Sequence, residues 1–301
     1  MKLVVIIPTL GRGSQLGRLL LHLQRQTQPP DEVVVSAPDA THVELPETSC
    51  FPVSLVLGKK GLCAQRNSAL DHTSGRFDVV TFFDDDFVPS DDYLERVTRA
   101  FEEHVDWAVV MGRVVKDGAI NAGLDWDDAM LALDQSEQEP PPRPEVVDHL
   151  GAYGCNMSIR AAKIGKLRFD ERLVLYGWQE DIDFTSQLRS RGRVVAVSTI
   201  RGIHLGIKTG RMSGERFGYS QIVNPVYLIK KGTMPATFAL PLMARNVAAN
   251  LVRSVRPESY IDRRGRLRGN ILAIIHVLTG RIEPEYVLDM GRIRDLGDPR
   301  V

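Results

Sequence analysis

The run KLVVIIP, residues 2–8, constrains the fold more than any other stretch. It is aliphatic and β-branched without alternation, the pattern of a strand buried on both faces, as parallel sheets require. After the turn TLGRG, Leu16, Leu19, Leu20 and Leu23 recur at helical spacing, with Ser14 as the expected N-cap. A second strand, DEVVVSA, follows the break TQPP and completes a βαβ unit whose crossover should be right-handed. VSLVLG reads as a third strand, KKG leads into the helical LCAQRNSALDHT, and DVVTFFDDD contributes a fourth strand. This alternation predicts an open α/β sheet, in which ligands sit beyond the carboxyl ends of the strands.

From about residue 117 to 150 the pattern fails. The segment is acidic and then proline-rich, and it reads as a long surface stretch of the kind that is usually functional or disordered. Order returns at GCNMSIR, continues through YGWQEDIDFTSQLRSRG, and reaches a strand RVVAVSTI that ends in RGIHLG. Beyond residue 210 the texture is helical and basic, with Arg263, Arg264, Arg266 and Arg268 close together. The expected division is therefore an α/β domain over 1–210 and a helical region over 211–301.

Global charge names no partner, because Lys+Arg and Asp+Glu balance at 38 each. Nucleic acid is not expected. Cys50, Cys63 and Cys155 form neither a metal-like spacing nor an even disulfide set, which fits a reducing cytoplasm. MKLVVIIPTL lacks the cleavage site of a secretory signal, and no apolar run approaches the roughly 20 residues that span a bilayer.

Against that background the triplet Asp84, Asp85 and Asp86 is anomalous. Three adjacent like charges follow the apolar run VVTFF at the position where an α/β sheet binds its ligand. Hard oxygen donors in close array suit Mg²⁺ or Mn²⁺, and Mg²⁺ is commonly held by one or two carboxylates together with substrate phosphates. A divalent ion would relieve the repulsion. The competing reading is a solvated acidic turn, since Ser90, Asp91 and Asp92 resemble a cap and first turn. Glu180 and Asp181, taken alone, read as a helix cap. His204 after the last strand is placed to ligate a metal, although a lone histidine is more often structural.

Together these residues carry a resemblance. VVIIPTLGR, GLCAQRNSAL, FFDDDFVP, GCNMSIR and GWQEDIDF occur in the order found in family-2 glycosyltransferases, over roughly residues 3–205. The resemblance implies a GT-A fold, an open twisted nucleotide-sugar-binding sheet, here with a C-terminal helical extension. It makes FFDDDFVP the Asp-x-Asp motif and GWQEDIDF the Glu-Asp motif. The Gln-x-x-Arg-Trp motif of processive synthases is absent from the sequence.

Carried over residue by residue, the resemblance implies that Asp86 binds a divalent ion, Mn²⁺ or Mg²⁺, with His204 as the second protein ligand. Asp84 would lie near the ribose, and Asp85 between nucleotide and donor sugar. Pro8, Thr9 and Arg12 would line the nucleotide pocket, and Arg66 would approach the nucleotide or diphosphate. Relatives often carry an aspartate after the second strand that reads the base. Here Ser36 takes that position, with Asp39 slightly late, so uracil and guanine both stay open, a UDP-sugar being favoured over a GDP-sugar. Asp181 matches the catalytic base of an inverting single displacement, with Glu180 beside it. Trp178 and Asn156 would stand on the acceptor side.

The implied acceptor is a saccharide, favoured as lipid-linked, as in bacterial exopolysaccharide or cell-envelope assembly. The expected location is the cytoplasm, peripheral at the inner face of the membrane, with the arginine-rich tail against an anionic surface. Two other readings stand beside this one. A sugar-nucleotide nucleotidyltransferase also has an α/β sheet and an acidic metal site, but leaves the Glu-Asp motif unexplained. A non-catalytic glycosyltransferase-like subunit would not need the carboxylates.

Overall fold

The structure is a computed structural model describing residues 1–140, 142–143, 145–208 and 212–290. The boundary expected at residues 210 and 211 lies outside the described residues, as do the last eleven residues of the expected helical region.

In chain order the elements begin β1 (Leu3–Pro8), α1 (Gly13–Leu23), β2 (Glu32–Ala37), β3 (Val53–Leu57), α2 (Leu62–Thr73), β4 (Val79–Phe83) and β5 (Phe87–Pro89). They continue α3 (Tyr93–Glu103), β6 (Trp107–Asp117), α4 (Trp126–Gln138), β7 (Val146–Asp148), β8 (Asn156–Arg160), α5 (Ala161–Ile164) and α6 (Glu180–Gln187). Last come β9 (Arg193–His204), α7 (Gly214–Lys231), α8 (Ala236–Arg253) and α9 (Arg263–Leu278).

The chain divides into two compact units. The first holds Met1–Lys60, Ala64–Phe169 and the chain from Phe184 through β9; the second holds Gly61–Cys63, Asp170–Asp183 and the helices from α7 onward.

One sheet organises the first unit, with strand order β3-β2-β1-β4-β8-β6-β9-β5 and β7 paired to β9. β3, β2, β1 and β4 run parallel. β8 is antiparallel to both β4 and β6, and β6 is parallel to β9. Every residue of β1, β2 and β4 is buried, as the unalternating sequences require. Leu16, Leu19, Leu20 and Leu23 of α1 join β1 and β2 in the main core. The helix itself starts two residues earlier than the Ser14 cap predicts. Arg12 occupies the N-cap and makes no capping bond, because a guanidinium has no acceptor to offer the first-turn amides; it donates to Asp85 instead.

The segment after residue 117 corrects the sequence reading more substantially. It contains α4, capped by Asp125, whose carboxylate accepts from the Asp127 amide at 2.8 Å. Asp127 and Asp128 in its first turn suit the positive end of the helix dipole. Trp126, Ala129, Ala132 and Leu133 give it a buried face. The acidic texture that resembled an irregular surface segment is the outer side of an amphipathic helix.

The second unit is helical. α7 packs closely on α9 around Tyr219, Ile222, Val223, Ala273 and Val287. Asn250 of α8 donates to Asn270 of α9 at 2.8 Å and to Gln221 of α7 at 2.9 Å, tying three helices at one buried point.

Candidate functional site

β1 lies between β2 and β4. From β1 the chain winds outward through β2 to β3, then returns to the other side of β1 as β4. That reversal leaves a crevice at the carboxyl ends of β1 and β4, the place where doubly wound sheets bind ligands. Thr9 follows β1, and Asp84–Asp85–Asp86 follow β4. The Thr9 hydroxyl donates to Asp85 at 2.7 Å, and Arg12 donates to the other oxygen of Asp85 at 2.9 Å. The same guanidinium lies 3.4 Å from Asp86.

Strand register brings His204 to this point. β5 starts directly after the aspartates, and Phe87 pairs with His204. On the other side of β9, Asp117 at the end of β6 is the register partner of His204. Nε2 of His204 lies 3.4 Å from Asp86. Nδ1 lies 2.9 Å from Asp117, and the Tyr153 hydroxyl sits 3.1 Å from Nδ1 while donating to Asp117 at 3.0 Å. The amide of Ile207 donates to the Asp86 carboxylate at 2.8 Å, and that of Leu205 to the Asp86 carbonyl at 2.9 Å.

This tight packing depends on two glycines. A Cβ on Gly118 would meet the Leu205 carbonyl at 1.9 Å, and one on Gly206, at φ +66°, would meet Gly118 and Ala119 backbone at 2.1 Å.

The charges explain how the triplet is tolerated. Burial raises the Asp84 carboxyl above its ordinary value, against the pull of Arg66. Burial raises Asp85 too, with Arg12 opposing. Burial also works against charge on Asp86, but the His204 hydrogen bond, Arg12 and the Ile207 amide reverse the balance and hold it below the carboxylate range. Desolvation would lower His204; Asp117 and Asp86 override it and raise the imidazole to about 10. Arg12 and His204 thus supply positive charge to a cluster that would otherwise repel itself.

One ligand atom from each of Asp84, Asp86 and His204 lies within 4.8 Å of the others. Two carboxylates and an imidazole, once a cation displaces the Nε2 proton of His204, are donors that a divalent ion such as Mn²⁺ accepts. Asp84 is the most accessible of the three, its side chain one-quarter exposed. The donor set fits.

The other residues singled out from the sequence divide into two groups. Pro8 ends β1 in register with Ser36. Arg66 is fully buried, donates to Asp84 at 3.1 Å and to the Gly154 carbonyl at 2.9 Å, and lies over the rings of Phe82 and Phe169. These belong with the cluster. The side chains of Ser36 and Asn156 are engaged within the protein. Ser36 is buried and its hydroxyl donates to the Gln65 carbonyl at 2.8 Å. Asn156 is buried and its amide donates to the Gly112 carbonyl at 2.9 Å. Asp39 caps a short turn through Thr41.

Glu180, Asp181 and Trp178 belong to the second unit. Glu180 is buried and Asp181 half-buried in the first turn of α6, where Asp181 accepts from the Ile182 amide at 2.8 Å. The loop before them is strained: Leu175 and Gln179 adopt φ of 59° and 73°, a conformation costly for non-glycine residues and concentrated at functional sites. Trp178 lies edge-on to Phe217 at 5.0 Å and near the ring of Tyr176, which is exposed. Asp183 has a structural role, with Lys231 at 2.7 Å and the Thr233 hydroxyl at 2.6 Å.

The arginine stretch is also divided. Arg263 is buried against Glu258 and Asn250, and Arg266 lies over Phe217 at 4.4 Å, whereas Arg264 and Arg268 are exposed.

Asp117 and Tyr153 were not legible as site residues. Neither belongs to a recognisable motif, and only the β6–β9 register reveals them. A cleft of about 380 Å³ beside Arg12, lined also by Gln15, Arg18, Trp126 and Ile207, was likewise invisible in the sequence.

No protein of curated function matches the chain in sequence. Among solved structures, the fold is similar to S. aureus TarS 1–349 in complex with UDP-GlcNAc, at 16% identity and TM-score 0.55, covering 94% of this chain and 83% of that one. It is also similar to TarS 1–349 in complex with UDP, at 18% identity and TM-score 0.52, covering 100% and 93%. At these identities the likeness is one of fold. The sequence model described as Glycosyl transferase family 2 matches residues 4–123, which include the β1–β4 crevice and the aspartate triplet. Over that segment the chain is similar to glycosyltransferase family 2, and its sheet has the GT-A fold.

Proposed function

We propose that the protein is an inverting, metal-dependent hexosyltransferase that moves a sugar from a UDP-sugar to a saccharide acceptor, lipid-linked, in bacterial polysaccharide or cell-envelope assembly. The observation that carries this reading is the convergence of Asp84, Asp86 and His204 at the carboxyl ends of β4 and β9. The donor preference draws on the similar structures, which hold UDP-GlcNAc and UDP.

Asp84, Asp86 and His204 would hold the divalent cation, Mn²⁺ or Mg²⁺. When bound it neutralises the charge that develops on the departing diphosphate, so no protonated acid is needed. Arg12 and Thr9 fix the Asp85 carboxylate. Arg66 keeps Asp84 oriented through its hydrogen bond at 3.1 Å.

In a single displacement, an acceptor oxygen forms its bond to the anomeric carbon as the bond to the diphosphate oxygen breaks. UDP leaves, and the acceptor's proton passes to Asp181. Trp178, grouped with Tyr176 and Phe217, offers flat apolar surface to the C–H faces of a sugar. A carboxylate at a helix N-terminus is a weakened base, which suits proton loss late in the transition state.

The test is product analysis. The full chain is incubated with UDP- and GDP-sugars, Mn²⁺ and oligosaccharide acceptors. Release of UDP supports transfer, GDP moves the donor preference, and pyrophosphate indicates nucleotidyl transfer. Metal binding without turnover of any nucleotide sugar would mark a non-catalytic subunit.

A further inference from the structure

Helix α8 is an unusual surface helix. Over 18 residues its only charged side chains are Arg245 and Arg253, and only Ala239 and Asn250 are buried. A solvated helix turns its polar residues outward. Here Leu240, Ala244, Ala248, Leu251 and Val252 follow one another at i, i+4, i+8, i+11 and i+12, and all are exposed. Val252 is 72% exposed, and Val255 just past the helix is 76%.

Helix α9 repeats the theme. Arg264, Arg268, Ile271, Ile274, Ile275 and Leu278 form a single exposed stripe, with arginine at its start and four large aliphatic side chains after it. Leu278 is 81% exposed. Neither helix contains an acidic residue. An exposed apolar area of this extent marks an interaction surface.

We infer that the outward faces of α8 and α9 form a docking surface for an anionic lipid bilayer, lying in the interface rather than crossing it. No described helix is long and apolar enough to span a membrane. The pattern of aliphatic residues rimmed by arginines is that of an interfacial helix, whose apolar side chains enter the acyl boundary while the cations meet anionic headgroups. Charge selects this occupant over a second copy of the chain. A two-fold dimer would bring Arg264 and Arg268 stripes together without a compensating acid on either helix.

The surface differs from the one the sequence suggested. Arg263 and Arg266 are turned to protein partners, and the cations available at the rim are Arg245, Arg256, Arg264 and Arg268. The inference deepens the proposed lipid-linked acceptor, since an enzyme held at the bilayer surface meets such an acceptor there, and to that extent rests on that reading.

The experiment is flotation of the full chain with vesicles of phosphatidylcholine containing 30% phosphatidylglycerol, and with phosphatidylcholine alone. The wild type should float with the anionic vesicles, and less so as salt rises. Leu251→Glu/Val252→Glu and Ile275→Glu/Leu278→Glu should each weaken binding by tenfold or more. Arg264→Gln/Arg268→Gln should weaken it by about fivefold per arginine, the effect of one interfacial charge. All these side chains are exposed, so thermal midpoints should match the wild type. UDP release with a soluble acceptor should be unchanged, which separates this inference from the catalytic one.

Absence of the wild type from anionic vesicles, or equal flotation of all variants, would overturn the docking surface. A wild-type dimer that the glutamate variants dissociate, seen by light scattering, would assign the face to a second copy instead. Vesicle binding without turnover of any nucleotide sugar would leave docking intact and sink the transferase.

Discussion

Oδ1 of Asp117 lies 2.9 Å from Nδ1 of His204, on the side of the imidazole opposite Asp86. A carboxylate that engages one ring nitrogen fixes the orientation of the other, and for a metal-binding histidine such a partner raises ligand basicity. Asp117→Asn is therefore expected to weaken Mn²⁺ binding by about 10- to 100-fold, measured by calorimetry without donor sugar. Tyr153→Phe, which leaves the Asp117 contact in place, should cost less. Equal Mn²⁺ affinity in Asp117→Asn and wild type would remove Asp117 from this positioning role.

Asp86→Ala should abolish the dependence of UDP binding on divalent metal. In the wild type, EDTA is expected to lower UDP affinity sharply. In the variant, titrations with and without EDTA should coincide at the weaker value. UDP affinity indifferent to chelation in the wild type would refute a metal-dependent donor site.

Asp181→Asn separates the base from the donor site. Asn keeps the size and caps a helix about as well as Asp, so folding should be undisturbed. Transfer should fall ~10²-fold or more, the scale of general-base catalysis, while UDP and Mn²⁺ still bind. A fully active variant would shift attention to Glu180. Asp183 is a poor alternative because Lys231 and Thr233 already engage both its oxygens.

Lys231 is expected to be structurally critical. It bridges Asp170 and the fully buried Asp183, each at 2.7 Å. Lys231→Met would leave Asp183 charged without its cation, a defect that typically costs about 3–5 kcal/mol. Differential scanning calorimetry should show a large drop in the thermal midpoint. The double change Lys231→Met/Asp183→Leu should recover much of it.

Glu258 gives a defined acid response. Arg263 hydrogen bonds hold its folded-state value down to about 2, from 4.5 when unpaired. A depressed carboxylate stabilises the fold above its unfolded value, and that contribution is lost as pH falls through the folded one. Between pH 4.5 and 2, thermal midpoints of the wild type should therefore fall more steeply than those of Glu258→Gln. Parallel slopes would show that the Glu258–Arg263 contact contributes nothing.

Much of this molecule is legible in its sequence because the relevant signals are local. β1, β2 and β4 are recognisable from unalternating aliphatic runs, and the aspartate triplet from its place after one of them. What escaped depends on long-range register or on tertiary pairing. Asp117 and Tyr153 reach His204 from positions 87 and 51 residues away. Arg263 turns inward because Glu258 and Asn250 await it, a fact no charge count contains. α4 was obscured because its four acids match in number the four apolar residues of its buried face, and the bond from Ser36 to Gln65 was hidden because it crosses 29 residues.

The two amides donated to Asp86, from Leu205 and Ile207, also give the protein a built-in clock for local opening. Neither can exchange its hydrogen for deuterium unless the chain after β9 lifts away from Asp86. Their exchange rates in the free protein therefore count how often this part of the site comes apart, and slower exchange with a divalent ion present would measure how firmly the ion closes it.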